Sequence, residues 1–285
     1  MIQTADSPIV LLASGQRTGS TLLQRWFLSH PRTMIWGEHD GVFETIFQRY
    51  ERLYAWEEMF AHHLETFQEE GYNNFVPNLI PPRTTLEQGL RAMIETLYRY
   101  PTAKMGRYYW GFKEVLYDAD MAVRLRKLYP KMKVVFITRH PFPCLVSLLH
   151  EERLKPSEIN IPLSDIWTRQ KTTEWVKNWA RINRSFLEHP QVNDSWFFRL
   201  TYEELVAHPE ESTRRIAEWL QMEYESFDLD VFDHRLYTDR DNQQVNRADR
   251  RQAITWNDLT AEEYRLITQT EVVEVASRLG YSVNS

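Results

Sequence analysis

The chain of 285 residues holds one cysteine, Cys144. A single thiol excludes an internal disulfide framework and suits a reducing compartment. No stretch approaches the roughly 20 consecutive apolar residues that a bilayer span requires. The opening residues MIQTADSPIV lack the basic start and apolar core of a secretory signal. Glycine and proline are sparse, at 9 and 13, and no low-complexity tract or internal repeat breaks the chain, which argues against a repeat architecture. Positive charge is not in excess: 34 Lys and Arg stand against 40 Asp and Glu, for a net charge of −6. The surface as a whole therefore has no pull toward nucleic acid or anionic membrane, and any anion site must be local. The nine histidines show no HExxH-type spacing, and the adjacent His62 and His63 point apart on a helix, so no metal site is expected. A soluble cytoplasmic protein is the expectation.

What is abundant is aromatic surface, 13% of residues with ten tryptophans. Much of it lies between Trp36 and Trp110. Most of these rings serve the core, and a minority suit the wall of a ligand pocket. Pro8–Ser14 reads as a strand buried on both faces, followed by a glycine loop and a helix. Thr33–Trp36 is a short apolar stretch ending at Gly37–Glu38. A long helix is expected from Gly41 to about Glu70, a proline-bearing loop over Asn73–Arg83, and a helix over Thr84–Tyr98 capped by Thr84 or Thr85. Further strands are expected at Gly111–Val115, Lys133–Thr138 and Trp196–Leu200. Helices are expected at Asp118–Tyr129, from about Pro141, within Ser164–Glu188, on both sides of Pro209, and over Thr260–Leu279. Strands alternating with helices indicate an α/β fold with a central parallel sheet flanked by helices. With no linker-like change of composition, one domain covers 1–285.

The segment Gly15-Gln16-Arg17-Thr18-Gly19-Ser20-Thr21 sits between a strand and a helix. Backbone N–H groups at such a junction point toward an anion, and the helix dipole favours negative charge there. Ser20 and Thr21 add hydroxyl donors, and Arg17 adds a planar cationic fork. The common nucleotide loop GxxxxGK[ST] carries a lysine before the hydroxyl residue. Here the spacing is one residue shorter and that lysine is missing. The loop is P-loop-like but departs from the nucleoside triphosphate pattern.

The run SGQRTGSTLLQRWFLSHP resembles the 5′-phosphosulfate loop of sulfotransferases that use 3′-phosphoadenosine 5′-phosphosulfate (PAPS), in particular the tyrosylprotein, carbohydrate and bacterial glycolipid branches. KVVFITRHPFPCLVSLL resembles the family's 3′-phosphate element, with Arg139 at a strand end and Ser147 eight residues later. For both to reach one phosphate, the helix that holds Ser147 must pack beside the nucleotide. RLTYEELVAHPEESTRRIAEWL and AEEYRLITQTEVVEVASRLGY resemble later family segments. The likeness spans most of the chain and is weakest over 41–110, the segment expected to form a helical acceptor-side insertion.

The resemblance implies roles. Gln16, Arg17, Thr18, Gly19, Ser20 and Thr21 would hold the 5′-phosphosulfate, and Arg139 with Ser147 the 3′-phosphate. Tyr202 would lie near the adenine, and Arg247, Arg250 or Arg251 would close on the 3′-phosphate from a C-terminal loop. Glu38 matches the Gly-Glu position of the family's general base, with His39 as the rival. Lys113 is awkward at a buried strand end unless an anion meets it, and the resemblance gives it the sulfonate. The implied reaction moves a sulfuryl group from PAPS to a hydroxyl acceptor without metal and releases adenosine 3′,5′-bisphosphate (PAP). The other readings are a P-loop kinase using ATP and magnesium, or a non-catalytic nucleotide-binding protein of the same fold.

Overall fold

The computed structural model describes residues 4–74, 76–154, 165–233 and 261–283. Strand β1 (Ile9–Ala13) is buried along its whole length, the environment its unbroken apolar run requires. It is the centre of a five-stranded sheet ordered β2-β3-β1-β4-β5, with β2 at Thr33–Trp36, β3 at Tyr109–Glu114, β4 at Lys133–Thr138 and β5 at Phe197–Thr201. All four pairings are parallel. The chain is a single α/β domain of the P-loop-like kind.

Because side chains alternate along a strand, β1 feeds two cores. Val10 and Leu12 enter one with Phe112, Val134 and Phe136, covered by α2 (Val42–Glu70), α3 (Arg83–Ile94), α5 (Ala119–Leu128) and α7 (Asp165–Glu188). Ile9, Leu11 and Ala13 enter the other with Ile35, Val135 and Ile137, covered by α1 (Ser20–Ser29), α8 (Tyr202–Ala207) and α9 (Pro209–Leu220). A third cluster joins α6 (Pro141–Leu154) and α7 to the C-terminal α11 (Thr270–Arg278).

Strands β1 and β3 meet at Gly111, which pairs with Ile9. A Cβ at this position would lie 1.7 Å from the Ile9 carbonyl oxygen, so no other residue fits. Phe43 and Phe47 are the buried residues of α2, which carries the chain away from β2 before it returns to β3.

Two helices differ from expectation. The helix expected to start on a capping Thr84 or Thr85 begins at Arg83 with Pro82 in the N-cap position and no side-chain cap. It then runs through a π-turn at Glu95–Arg99 into α4 (Tyr100–Lys104). Pro101 supplies no N–H and crowds the carbonyl four residues back, and widening the preceding turn accommodates both effects. The closing helix is two, α10 (Ala261–Ile267) and α11. The Thr268 hydroxyl donates to the Tyr264 carbonyl at 2.9 Å, the side-chain competition that disfavours continued helix, and Gln269 takes extended backbone as the next N-cap.

Candidate active site

Strand β1 hands over to α1 through a loop built on left-handed backbone, with φ of 109° at Gly15, 68° at Arg17 and 93° at Gly19. Such a conformation at a non-glycine residue costs on the order of 1–3 kcal/mol and persists where its surroundings hold it. Arg17 is held on two sides. Its carbonyl accepts from Arg139 Nη1 at 3.1 Å and from the Cys144 thiol at 3.4 Å, and its Nε donates to Ser147 Oγ at 3.0 Å. The Thr18 hydroxyl closes the turn on the Gly15 carbonyl at 3.0 Å. No side chain caps α1, so its first-turn N–H groups are left for a ligand at the positive end of the helix.

Arg139 follows β4, next to β1. Its guanidinium stacks 4.2 Å over the Tyr202 ring, and its Nε is buried with no hydrogen-bond partner. Tyr202 also fills the space beside Gly19, where a Cβ would meet it at 2.3 Å. Tyr202 is therefore packed between loop and arginine. Two indoles brace this region from α7: Trp175 Nε1 donates to the Gln16 carbonyl at 3.2 Å and Trp179 Nε1 to the Arg139 carbonyl at 3.1 Å. Glu203 accepts from the His140 N–H at 3.0 Å and from the Tyr281 hydroxyl at 2.9 Å, which ties the C-terminal segment to the arginine's strand end. Complete burial pushes the Cys144 thiol up to about 12, against the pull of Arg139 and Arg17, so this thiol is a packed donor and not a nucleophile.

The second half of the site lies at the end of β3. Lys113 Nζ is 2.5 Å from Glu38 Oε1 and donates to Thr21 Oγ1 at 3.3 Å. The lysine side chain is 6% exposed and the glutamate 37%, so the ion pair opens to solvent on its carboxylate side. Glu114, the next residue, points to the other face of the strand and is buried. Its Oε1 accepts from the Val115 N–H at 2.7 Å, and its Oε2 from the Gly41 N–H at 3.0 Å and the His39 N–H at 3.4 Å. The same Oε2 lies 3.2 Å from His39 Nδ1. His39 sits among Phe43, Tyr98, Phe112 and Tyr117. Burial lowers its proton affinity, opposed by the Glu114 and Glu38 carboxylates.

Of the residues singled out from sequence, Arg17, Gly19, Arg139, Ser147 and Tyr202 meet around the loop, and Thr21, Lys113 and Glu38 form a chain leading away from it. Gln16 is exposed and Ser20 buried. His39 turns to the opposite face of β3 from Glu38. Arg247, Arg250 and Arg251 lie outside the described residues. Glu114, Trp175, Trp179 and Glu203 were not singled out. The argument that flagged Lys113, a charge at the end of a buried strand, applies equally to Glu114. Among the described residues no group of three or more His, Cys, Asp or Glu side chains is arranged to hold a metal, and no helix is long and apolar enough to cross a membrane.

A family model described as "Sulfotransferase family" matches residues 8–226. Among solved structures, the chain is similar to the sulfotransferase domain from the curacin biosynthetic pathway, with a TM-score of 0.52 and 16% identity over 98% of this chain and 99% of that one. It is equally similar to the sulfotransferase domain of the Synechococcus PCC 7002 olefin synthase, with a TM-score of 0.52 and 17% identity over 99% of each. At these identities the likeness is one of fold. Comparison with curated proteins gives no match.

Proposed function

The chain belongs to the sulfotransferase family, and from that premise we propose that it transfers a sulfuryl group from PAPS to the hydroxyl of an acceptor. The observation that carries this reading is the chain of contacts from the anion loop to a carboxylate: Thr21 in α1, Lys113 in β3 and Glu38 in the turn after β2. A loop that only bound nucleotide would have no use for a lysine and a carboxylate at its acceptor side.

The residues fit the co-substrate. Arg139 holds a buried Nε without a partner, a donor that a phosphate oxygen satisfies with a charge-assisted bond. Arg139 and Ser147 hold the 3′-phosphate, and one of Arg247, Arg250 and Arg251 closes on it. Arg17, Thr18, Ser20, Thr21 and the first N–H groups of α1 hold the 5′-phosphosulfate. When bound, PAPS supplies the sulfuryl group and a phosphate leaving group. Glu38 takes the proton from the acceptor hydroxyl as its oxygen bonds to sulfur. Lys113 meets the sulfonate and offsets its negative charge during transfer, the electrostatic work done elsewhere by a metal ion. Tyr202 braces Arg139 against the loop. The excursion over 41–110 springs from the turn that bears Glu38 and forms the acceptor side. A cytoplasmic location fits the buried lone thiol.

Calorimetry tests the reading. PAP should bind without magnesium, and more tightly than ATP with magnesium. Equal affinities, or a strict need for the metal, would favour the kinase reading.

A further inference from the structure

Helix α2 is 29 residues long, yet its buried residues, Phe43 and Phe47, both lie in its first two turns. Tyr50 and Tyr54 continue the docked side: the Arg83 guanidinium lies 4.6 Å over the Tyr54 ring, and Glu51 pairs with Arg124 at 2.9 Å. A second stripe lies about 120° round the helix from that side. Leu53, Trp56, Phe60, His63 and Phe67 follow one another at alternating steps of three and four, the spacing of a helix–helix seam. Their rings line up, with Trp56 and Phe60 at 5.4 Å and Phe60 and His63 at 5.3 Å. Leu53, Trp56 and Phe67 are nonetheless exposed, as is the adjoining Met59 at 63%. Isolated exposed apolar residues are ordinary, but several on one stripe, with half-buried Phe60 and His63 between them, mark an interaction surface.

The charges beside the stripe identify its partner. By the helix's step of about 100° per residue, Arg49 and Arg52 border the stripe at its start, Glu57 flanks its middle and Glu70 borders its end on the same side as Arg52, while Glu44, Glu51, Glu58, Glu65 and Glu69 lie on the other faces. The basic and acidic ends, at Arg49 and Glu70, are separated by about 32 Å of helix. A second α2 laid antiparallel sets each basic end against an acidic end, twice by symmetry, with the apolar stripe between. A parallel copy would set Glu70 against Glu70 and arginine against arginine, and an anionic membrane would be repelled at the Glu70 end. A patch that complements itself under a two-fold axis is the signature of an isologous dimer contact. We propose that the stripe Leu53–Phe67 of α2 is the interface of a two-fold dimer, in which two copies of the chain pair through antiparallel α2 helices.

Sedimentation of the full chain at micromolar concentration tests this, independently of any reaction. The wild type should sediment at twice the chain mass. A variant with both ends of the stripe acidic, Arg49→Glu with Arg52→Glu, should dimerise roughly 10-fold or more weakly, and so should one with both ends basic, Glu70→Arg. An equimolar mixture of the two should recover the dimer, because each then meets its complement. Trp56→Asp should give monomer, with its melting transition confirming a folded chain. A wild type that stays monomeric to about 100 μM overturns the proposal. A dimer indifferent to the charge variants and to Trp56→Asp overturns it as well, as does a monomer that cosediments with anionic lipid vesicles through this stripe.

Discussion

Lys113 and Glu114 are consecutive on β3 and grip the same turn from opposite faces of the sheet: Lys113 Nζ lies 2.5 Å from Glu38 Oε1, and Glu114 Oε2 accepts from the Gly41 N–H at 3.0 Å. The turn therefore arrives at the site already oriented. It offers Glu38 to the anion loop and sinks His39 among rings. Since proton transfer demands hydrogen-bond reach before it demands a matched pKa, the geometry favours Glu38 as the group that meets the acceptor.

Glu38→Gln keeps the side chain's size and removes its capacity to take a proton. Turnover of sulfate from labelled PAPS should fall by roughly 10²–10⁴-fold, with PAP affinity nearly unchanged. His39→Asn should lower turnover less. The opposite ranking would identify His39 as the base, and two active variants would move the base into the helices of 41–110.

Arg139→Ala removes a charge-assisted donor and should weaken PAP binding by about 1.5–3 kcal/mol, read by calorimetry. Adenosine 5′-phosphosulfate, which lacks the 3′-phosphate, should lose much less. Equal losses for the two ligands would mean that Arg139 acts through the Arg17 carbonyl it supports and does not read the 3′-phosphate.

Stability should depend on pH through two histidines. Burial lowers the proton affinity of His39, and burial with Arg32 lowers that of His30. Their folded values lie below the unfolded one of about 6.5, so below that pH the unfolded chain binds more protons than the folded chain. The stabilisation is complete above pH 6.5 and declines as the pH falls toward the folded values. Urea midpoints measured at pH 7.5 and 5.5 should show the decline, and His39→Asn should reduce it. A midpoint that rises at the lower pH contradicts the assignment.

Cys144 should resist alkylation by iodoacetamide at pH 8 while the chain is folded, because the thiolate is the reactive form and burial pushes the thiol to about 12. Unfolding in urea should restore ordinary reactivity. Rapid labelling of the folded chain would show that α6 opens away from the loop.

The loop and its strand were legible in sequence because they are local: seven consecutive residues, Gly15–Thr21, carry the backbone permissiveness, the cation and the hydroxyls. Arg139 and Ser147 were paired through the resemblance, and the structure brings both to Arg17, one to its carbonyl and one to its Nε. Two relationships were not visible. Trp175 and Trp179, four residues apart on α7, looked like core residues because periodicity tells which face is buried and not what that face touches. Glu114 went unread because its partners, His39 and Gly41, stand 75 and 73 residues away. The break at Thr268 was hidden for a different reason. A threonine in a helix pattern is ordinary until its hydroxyl is seen on the Tyr264 carbonyl.

Gly111 has a consequence for β3 as a whole. Sliding the strand by one residue against β1 would bring Trp110 or Phe112 to the place where even one extra carbon meets the Ile9 carbonyl at 1.7 Å. A slip of one also exchanges the two faces of a strand, which would turn Lys113 away from the loop and Glu114 toward it. The glycine thus indexes the strand: it admits one alignment and rejects its neighbours. A residue with no side chain decides which of two opposite charges faces the loop.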